Sequence, residues 1–210
     1  MPPPPFLSLP TVEQRAFIAQ RLAGPPPAGA TGLSDGHRLP GREGALRPAA
    51  VLLLLVDRPT GLNVLLTERS ADLADHPGQI SFPGGRVEPA DVDAVDAALR
   101  EAFEETGLPR ERVGILGALP HYSTVSGYDI TPVVGWTEPP LTLVPDPFEV
   151  ADVFEVPLAF LLDPENQKRH FRMAGTVRRD YWAIPYGERY IWGATAAMLM
   201  MFHRVLHSDD

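Results

Sequence analysis

Residues 49–56 read AAVLLLLV, an apolar run with no polar interruption, and a run of that length between turn-formers predicts a strand buried on both faces. Asp57, Pro59, Thr60 and Gly61 supply a turn and residues 62–67 return as a second strand, so a hairpin is expected. Residues 70–76 read as a short helical turn, and 79–82 as a brief strand running into a glycine turn at Pro83-Gly84-Gly85. Beyond it Val92, Val95, Leu99, Ala102 and Thr106 recur at spacings of three and four, the period of a helix with one face on a core. Asp91 or Asp93 can cap that helix, and Gly107 followed by Pro109 ends it. Strands are expected over 113–119 and 130–137, then a helix over about 156–162, a charged hairpin over about 170–190 and a last helix over 193–207. Residues 196–202 of that last helix are apolar on every side, which predicts burial against the sheet or against a second copy of the chain in a homodimer. No internal repeat is visible.

Ahead of this pattern the chain changes character. Ten of the 24 prolines precede Ala49. Residues 1–10 are expected to be extended, Thr11 to open a short helix with Gln14 at capping-box spacing, and residues 23–48 to form a Pro/Gly-rich loop. The chain therefore divides into an N-terminal arm over 1–48 and a compact domain over 49–210. At 210 residues and 44% hydrophobic content it can bury one sizeable core. A net charge of −9 argues against a nucleic-acid surface, which would show a basic face. The absence of cysteine excludes disulfides and thiolate chemistry. The longest apolar run is too short to span a bilayer, and MPPPPFLSLP lacks the features of a signal peptide, so no membrane association and a cytoplasmic location are expected.

The helix that begins after the glycines carries the candidate chemistry. Glu101 and Glu105 lie one turn apart, with Glu104 beside them and Arg100 one turn from Glu104. In many proteins such a cluster is only a solvated face with weak ion pairs. Like charges at this spacing nevertheless cost a helix a few tenths of a kcal/mol, a cost that a cation between them would remove. Carboxylate oxygens completed by substrate phosphates suit Mg²⁺ or a similarly hard ion.

Residues 84–108, GGRVEPADVDAVDAALREAFEETGL, resemble the Nudix box, G-x5-E-x7-R-E-U-x-E-E-x-G-U with U an aliphatic residue. REAFEETGL matches throughout; counted from Gly85, the first acid is Asp91 rather than Glu and Arg100 comes one residue late. That variant, together with LLTERSADLADHPGQISFPGG at residues 65–85, resembles the coenzyme A pyrophosphatase branch of the Nudix hydrolases. The stretch around Ser126-Gly127-Tyr128 is similar to the same branch's TxSGYxVTPVVG.

The resemblance implies an α/β Nudix fold, an α/β/α sandwich around a mixed β-sheet, and metal-dependent hydrolysis of the coenzyme A diphosphate to 3′,5′-ADP and 4′-phosphopantetheine, with acyl-CoA or oxidised CoA as further substrates. It implies Glu101 and Glu105 as principal ligands of Mg²⁺ or Mn²⁺, the Gly85 carbonyl as another, and Glu104 as a supporting one. Arg100 is expected to orient Glu104 rather than touch substrate. Glu149 is the expected general base, with Glu155 and Glu101 as the other candidates. Arg69, His76 and Gln79 are expected contacts to phosphates or to the adenine side, and Tyr190 and Trp192 wall a pocket or belong to the core. The alternatives are a Nudix pyrophosphatase acting on ADP-ribose or NADH-type dinucleotides, and a non-catalytic binding protein on the same scaffold.

Overall fold

The computed structural model describes residues 5–34, 36, 44–73, 76–174 and 177–207. Helix α1 (Thr11–Ala23) and strand β1 (Leu33–Ser34) precede the central hairpin of β2 (Arg47–Arg58) and β3 (Gly61–Arg69). Two short strands, β4 (Ile80–Ser81) and β5 (Gly84–Arg86), lead to α2 (Ala94–Thr106). Then come β6 (Gly114–Ala118), β7 (Tyr122–Ser123), β8 (Tyr128–Thr137), β9 (Val150–Pro157) and α3 (Leu158–Leu162). Strands β10 (Lys168–Ala174), β11 (Val177–Tyr186) and β12 (Arg189–Trp192) lead to α4 (Gly193–Leu206).

Strands β1 to β9 form one mixed sheet, with the path β1-β7-β8-β2-β3-β4, while β5 pairs with β2, β6 with β8 and β9 with β3. Strand β2 runs parallel to β8 and antiparallel to β3 and β5. It sits at the centre because its side chains are apolar on both faces. Leu52 and Leu54 face α2 with Leu65, Ala97, Ala98 and Ala102; Leu53 and Leu55 face the opposite layer with Ile18, Leu161 and Leu199. Each fully buried leucine contributes about 1.5–3 kcal/mol. The result is an α/β/α sandwich, with α2 on one face and α1, α3 and α4 on the other.

Helix α4, apolar all round, is buried against α1, α3 and the antiparallel sheet β10-β11-β12. The expected charged hairpin is thus three strands rather than two. Strand β9 was hidden in the sequence because Asp152 and Glu155 break its apolar run; each acid is paired, Asp152 with Arg189 and Glu155 with Arg58. No helix among the described residues is long and apolar enough to cross a membrane.

Several local expectations need correction. Residues 5–8 form a 3₁₀ turn, not an extended segment, because Phe6 buries itself against the Phe17 ring at 4.7 Å; residues 1–4 lie outside the described residues. The capping box at Thr11 and Gln14 does not form: Thr11 Oγ1 donates to Asp57, and Gln14 Nε2 donates to the carbonyls of Leu7 and Leu9. The loop over 23–48 contains β1. The helical turn expected over 70–76 includes positions 74 and 75, which lie outside the described residues. Val92 is 88% exposed and precedes α2, whose buried side is instead Ala97, Ala98, Ala102, Glu105 and Thr106. Asp93, not Asp91, caps the helix by accepting from Asp96 N at 2.9 Å.

Candidate active site

The glycine pair is not a turn. The chain bends at Pro83, and Gly84 and Gly85 lie in β5, beside the first half of β2 and beneath α2. Both positions require the missing side chain. A Cβ on Gly84 would stand 2.4 Å from the Ala50 carbonyl oxygen, and one on Gly85 would stand 2.5 Å from the Glu101 carboxylate. The Glu101 carboxylate therefore rests against the bare Gly85 backbone.

The ladder decides which glycine carbonyl is available. In an antiparallel pair, a residue at a bonded position turns its N–H and C=O to the partner strand, and the next residue turns both away. Bonds from Leu52 N to Pro83 O at 2.8 Å and from Val87 N to Pro48 O at 3.1 Å fix the phase. Gly85, opposite Ala50, is thus a bonded position, and Gly84, opposite Val51, is not. Gly84 N donates to Glu105 Oε2 at 3.2 Å, so its carbonyl lies on the outward edge as well. The Gly85 carbonyl, expected to be offered to a metal, is turned into the sheet; the neighbouring glycine carries the outward one.

Arg100 organises the acids. Its Nε and Nη2 fork onto the two Asp91 oxygens at 2.9 and 3.0 Å, Nη1 donates to Glu101 Oε1 and Glu104 Oε2 at 3.0 Å each, and Nη2 also donates to the Arg86 carbonyl at 3.0 Å. A guanidinium has five N–H donors, and all are taken. The two departures from the general box meet here, since Asp91 is the residue that Arg100 grips. Hydrogen bonding from Arg100 holds the Asp91 carboxyl down at about 2.

Glu105 is only 4% exposed. Burial pushes its carboxyl up to about 8; the Gly84 N–H and the charge of Arg69 work against this, while Glu101 and Glu149 add to it. Burial also raises Glu101, opposed by Arg100 and reinforced by the charges of Glu104 and Glu149. Arg69 and Glu149 are therefore close enough to α2 to act on its acids. Backbone bonds hold them together: Ser70 N donates to the Glu149 carbonyl at 2.8 Å, and Arg69 N to the Gln79 carbonyl at 3.0 Å. The segment leading to Glu149 is bonded to the end of α2, from Val144 N to Thr106 O at 2.8 Å and from Asp146 N to Glu105 O at 3.0 Å.

Gln79 is half-buried beside Arg69, while His76 is exposed on the turn before it, with a φ of 58°. Glu155 lies at the other end of β9 from Glu149, held by Arg58 and Asn63. That ion pair removes it as a candidate base. Tyr190 is exposed and Trp192 packs edge-on against Tyr181. A concavity of about 710 Å³ lies at the far end of the sheet, between the β2–β3 turn and the segment before α1, away from the acids.

No three acidic or histidine side chains converge on one point among the described residues, because Arg100 draws Glu104 and one oxygen of Glu101 to itself. The donor set still fits a hard cation. Glu101 and Glu105 flank the glycine pair, and the buried Glu105 holds a proton to about pH 8 for want of a compensating positive charge. Gly84 supplies a carbonyl on the same edge. Sequence reasoning missed Gly84 and the grip of Asp91 on Arg100. The first depends on the phase of a three-residue strand and the second on a contact nine residues apart in the chain, and neither leaves a periodic signal.

Residues 46–174 match the family model described as the NUDIX domain. The uncharacterized Nudix hydrolase NudL of Pectobacterium atrosepticum is 41% identical over 161 residues, covering 73% of this chain and 79% of that protein. NudL of Escherichia coli K12 is 42% identical over 156 residues, again covering 73% of this chain and 79% of the relative. Among solved structures, the Nudix hydrolase RenU from M. smegmatis is 28% identical, covering 55% of this chain and 73% of that chain with a TM-score of 0.44.

Proposed function

The chain belongs to the Nudix family, and on that premise we propose that it hydrolyses the diphosphate of coenzyme A, releasing 3′,5′-ADP and 4′-phosphopantetheine. The observation that supports this reading is the stretch over residues 65–85, which resembles the coenzyme A branch's signature and includes Arg69, whose charge acts on Glu105. Nudix hydrolases generally work with divalent metal ions. Glu101, Glu105 and the Gly84 carbonyl would hold Mg²⁺ or Mn²⁺, with Glu104 as a supporting ligand. Bound there, the ion supplies Lewis acidity and lowers the pKa of water.

The chain's own residues do the rest. Arg69 offsets charge on the diphosphate beside Glu105. Glu149, exposed and unburdened by an ion pair among the described residues, accepts the proton of the attacking water. Arg100 touches no substrate, since its donors are spent on Asp91, Glu101, Glu104 and Arg86; it positions the acids. His76 and Gln79 lie along the path from Arg69 to β4, where the adenine or phosphate end would run.

Initial rates on CoA, acyl-CoA and ADP-ribose at equal Mg²⁺ test the assignment. CoA or an acyl-CoA is expected to be the preferred substrate. A strong preference for ADP-ribose discards coenzyme A, and no hydrolysis across a broad diphosphate panel with Mg²⁺ or Mn²⁺ discards the enzyme.

A further inference from the structure

On the sheet face opposite the acids, two guanidinium groups flank one tyrosine ring. The Arg47 guanidinium carbon lies 4.1 Å from the centre of the Tyr128 ring and that of Arg86 lies 5.8 Å from it; Arg86 Nε also donates to the Tyr128 hydroxyl at 3.2 Å. The strand registers put them on that face. Successive strand residues point to opposite sides of a sheet. Gly85 and its partner Ala50 belong to the α2 side, against Glu101 and the cluster around Ala97. Arg86 pairs with Ala49 and Arg47 with Tyr128, so all three side chains belong to the other side. Two residues past Tyr128, Ile130 packs into the core of that layer.

The cluster is poised for an anion. Among the described residues neither arginine pairs with a carboxylate, in a chain whose net charge is −9. Beyond its contact with Tyr128, the Arg47 guanidinium donates only to the Ser126 carbonyl among the described residues, at 3.4 Å, and Arg86 keeps both terminal nitrogens without a partner among them. A guanidinium stacked on a ring keeps its edge donors in a fork that matches phosphate. Arg100 bonds to the Arg86 carbonyl and so fixes the backbone from which this side chain projects.

We propose that Arg47, Tyr128 and Arg86 form a recognition platform for a phosphate monoester on the substrate's ribose, separate from the diphosphate that is cleaved. This rests on the coenzyme A reading above. The diphosphate belongs with the acids on the α2 side, so an anion on the opposite face, across the narrow edge of β5, is a different phosphate. Coenzyme A carries one such group, on its 3′ oxygen, whereas ADP-ribose and dephospho-CoA carry none. The platform makes these residues determinants of specificity rather than of chemistry.

The test is calorimetric titration of the full chain, without metal, with 3′,5′-ADP and with 5′-AMP, in the wild type and in R47Q and R86Q. The wild type is expected to bind 3′,5′-ADP about tenfold or more tightly than AMP, the scale of a hydrogen bond to a charged group. Each substitution is expected to bring the two ligands toward equal affinity. Equal affinities in the wild type, undetectable binding of 3′,5′-ADP, or a preference that survives both substitutions overturns the platform. Rates judge the coenzyme A reading separately: a protein that cleaves CoA without preferring 3′,5′-ADP loses the platform alone, whereas one that cleaves ADP-ribose but not CoA loses that reading and, with it, the platform's role toward substrate.

Discussion

Replacing Glu105 by glutamine should stabilise the metal-free protein at pH 8 while abolishing its response to Mg²⁺. An unfolded glutamate titrates near 4.5, and burial raises the folded carboxyl to about 8. Between those values the folded state holds one proton more than the unfolded state, so metal-free stability is full below about 4.5, falls as pH rises and levels off above about 8. At about 1.4 kcal/mol per pKa unit, the whole fall is on the order of 5 kcal/mol. For a chain of this size that amounts to about 10 °C or more in melting temperature. His203 adds an opposite slope at lower pH. Burial lowers its pKa to about 4, so its contribution is lost as pH falls from about 6.5 to about 4. The window free of the His203 contribution is therefore about 6.5 to 8. Glutamine keeps an oxygen for the Gly84 N–H but cannot ionise. E105Q without metal should then have a flat profile in that window and melt above the wild type at pH 8. Added Mg²⁺ should raise the wild type and leave E105Q unmoved. Thermal melts from pH 5 to 9, with EDTA or with Mg²⁺, supply the comparison. A metal-free wild type with no slope between pH 6.5 and 8, or an E105Q protein with the same slope, would show that this carboxyl is not the strained group described.

Three further substitutions probe the rest of the site. E149Q should lower kcat by about 10²-fold or more, with Mg²⁺ affinity from a binding titration unchanged; a loss below about threefold removes Glu149 from proton transfer. G85A drives a methyl group into the Glu101 carboxylate, 2.5 Å away, and should weaken Mg²⁺ binding by about tenfold or more; circular dichroism should remain native, and unaltered Mg²⁺ affinity would mean Glu101 is free to move aside. D91N breaks the fork to Arg100, a pair whose Asp91 side chain is 2% exposed, and should cost about 3 kcal/mol in denaturant unfolding at neutral pH. Because the folded Asp91 pKa is depressed to about 2, that contribution is present above the ordinary 3.8 and lost as pH falls through 2. A D91N protein equal to the wild type in both stability and turnover would release Arg100 from its positioning role.

The central hairpin, the helix with its acids and its end at Gly107 were legible because each has a strong local signal: an unbroken apolar run, a period of 3.6 and a glycine at a left-handed cap with a φ of 71°. What could not be read was set by contacts distant in sequence. Of the stripe Val92, Val95, Leu99, Ala102 and Thr106, only Ala102 and Thr106 are buried, and they are joined by Ala97, Ala98 and the carboxylate-bearing Glu105, where α2 packs on β5. Strand β9 escaped notice because its acids are neutralised by Arg58 and Arg189, residues from other strands. The choice between Gly84 and Gly85 depends on ladder phase, which two residues without side chains cannot reveal.

The last carbonyls of α2 are bonded to the backbone of the segment that leads into Glu149, at Thr106 and at Glu105 itself. Ends of helices are ordinarily where a chain frays. Here that end is stitched to the connector that carries Glu149, so a substitution that loosens the final turn of α2 is expected to displace Glu149 along with it.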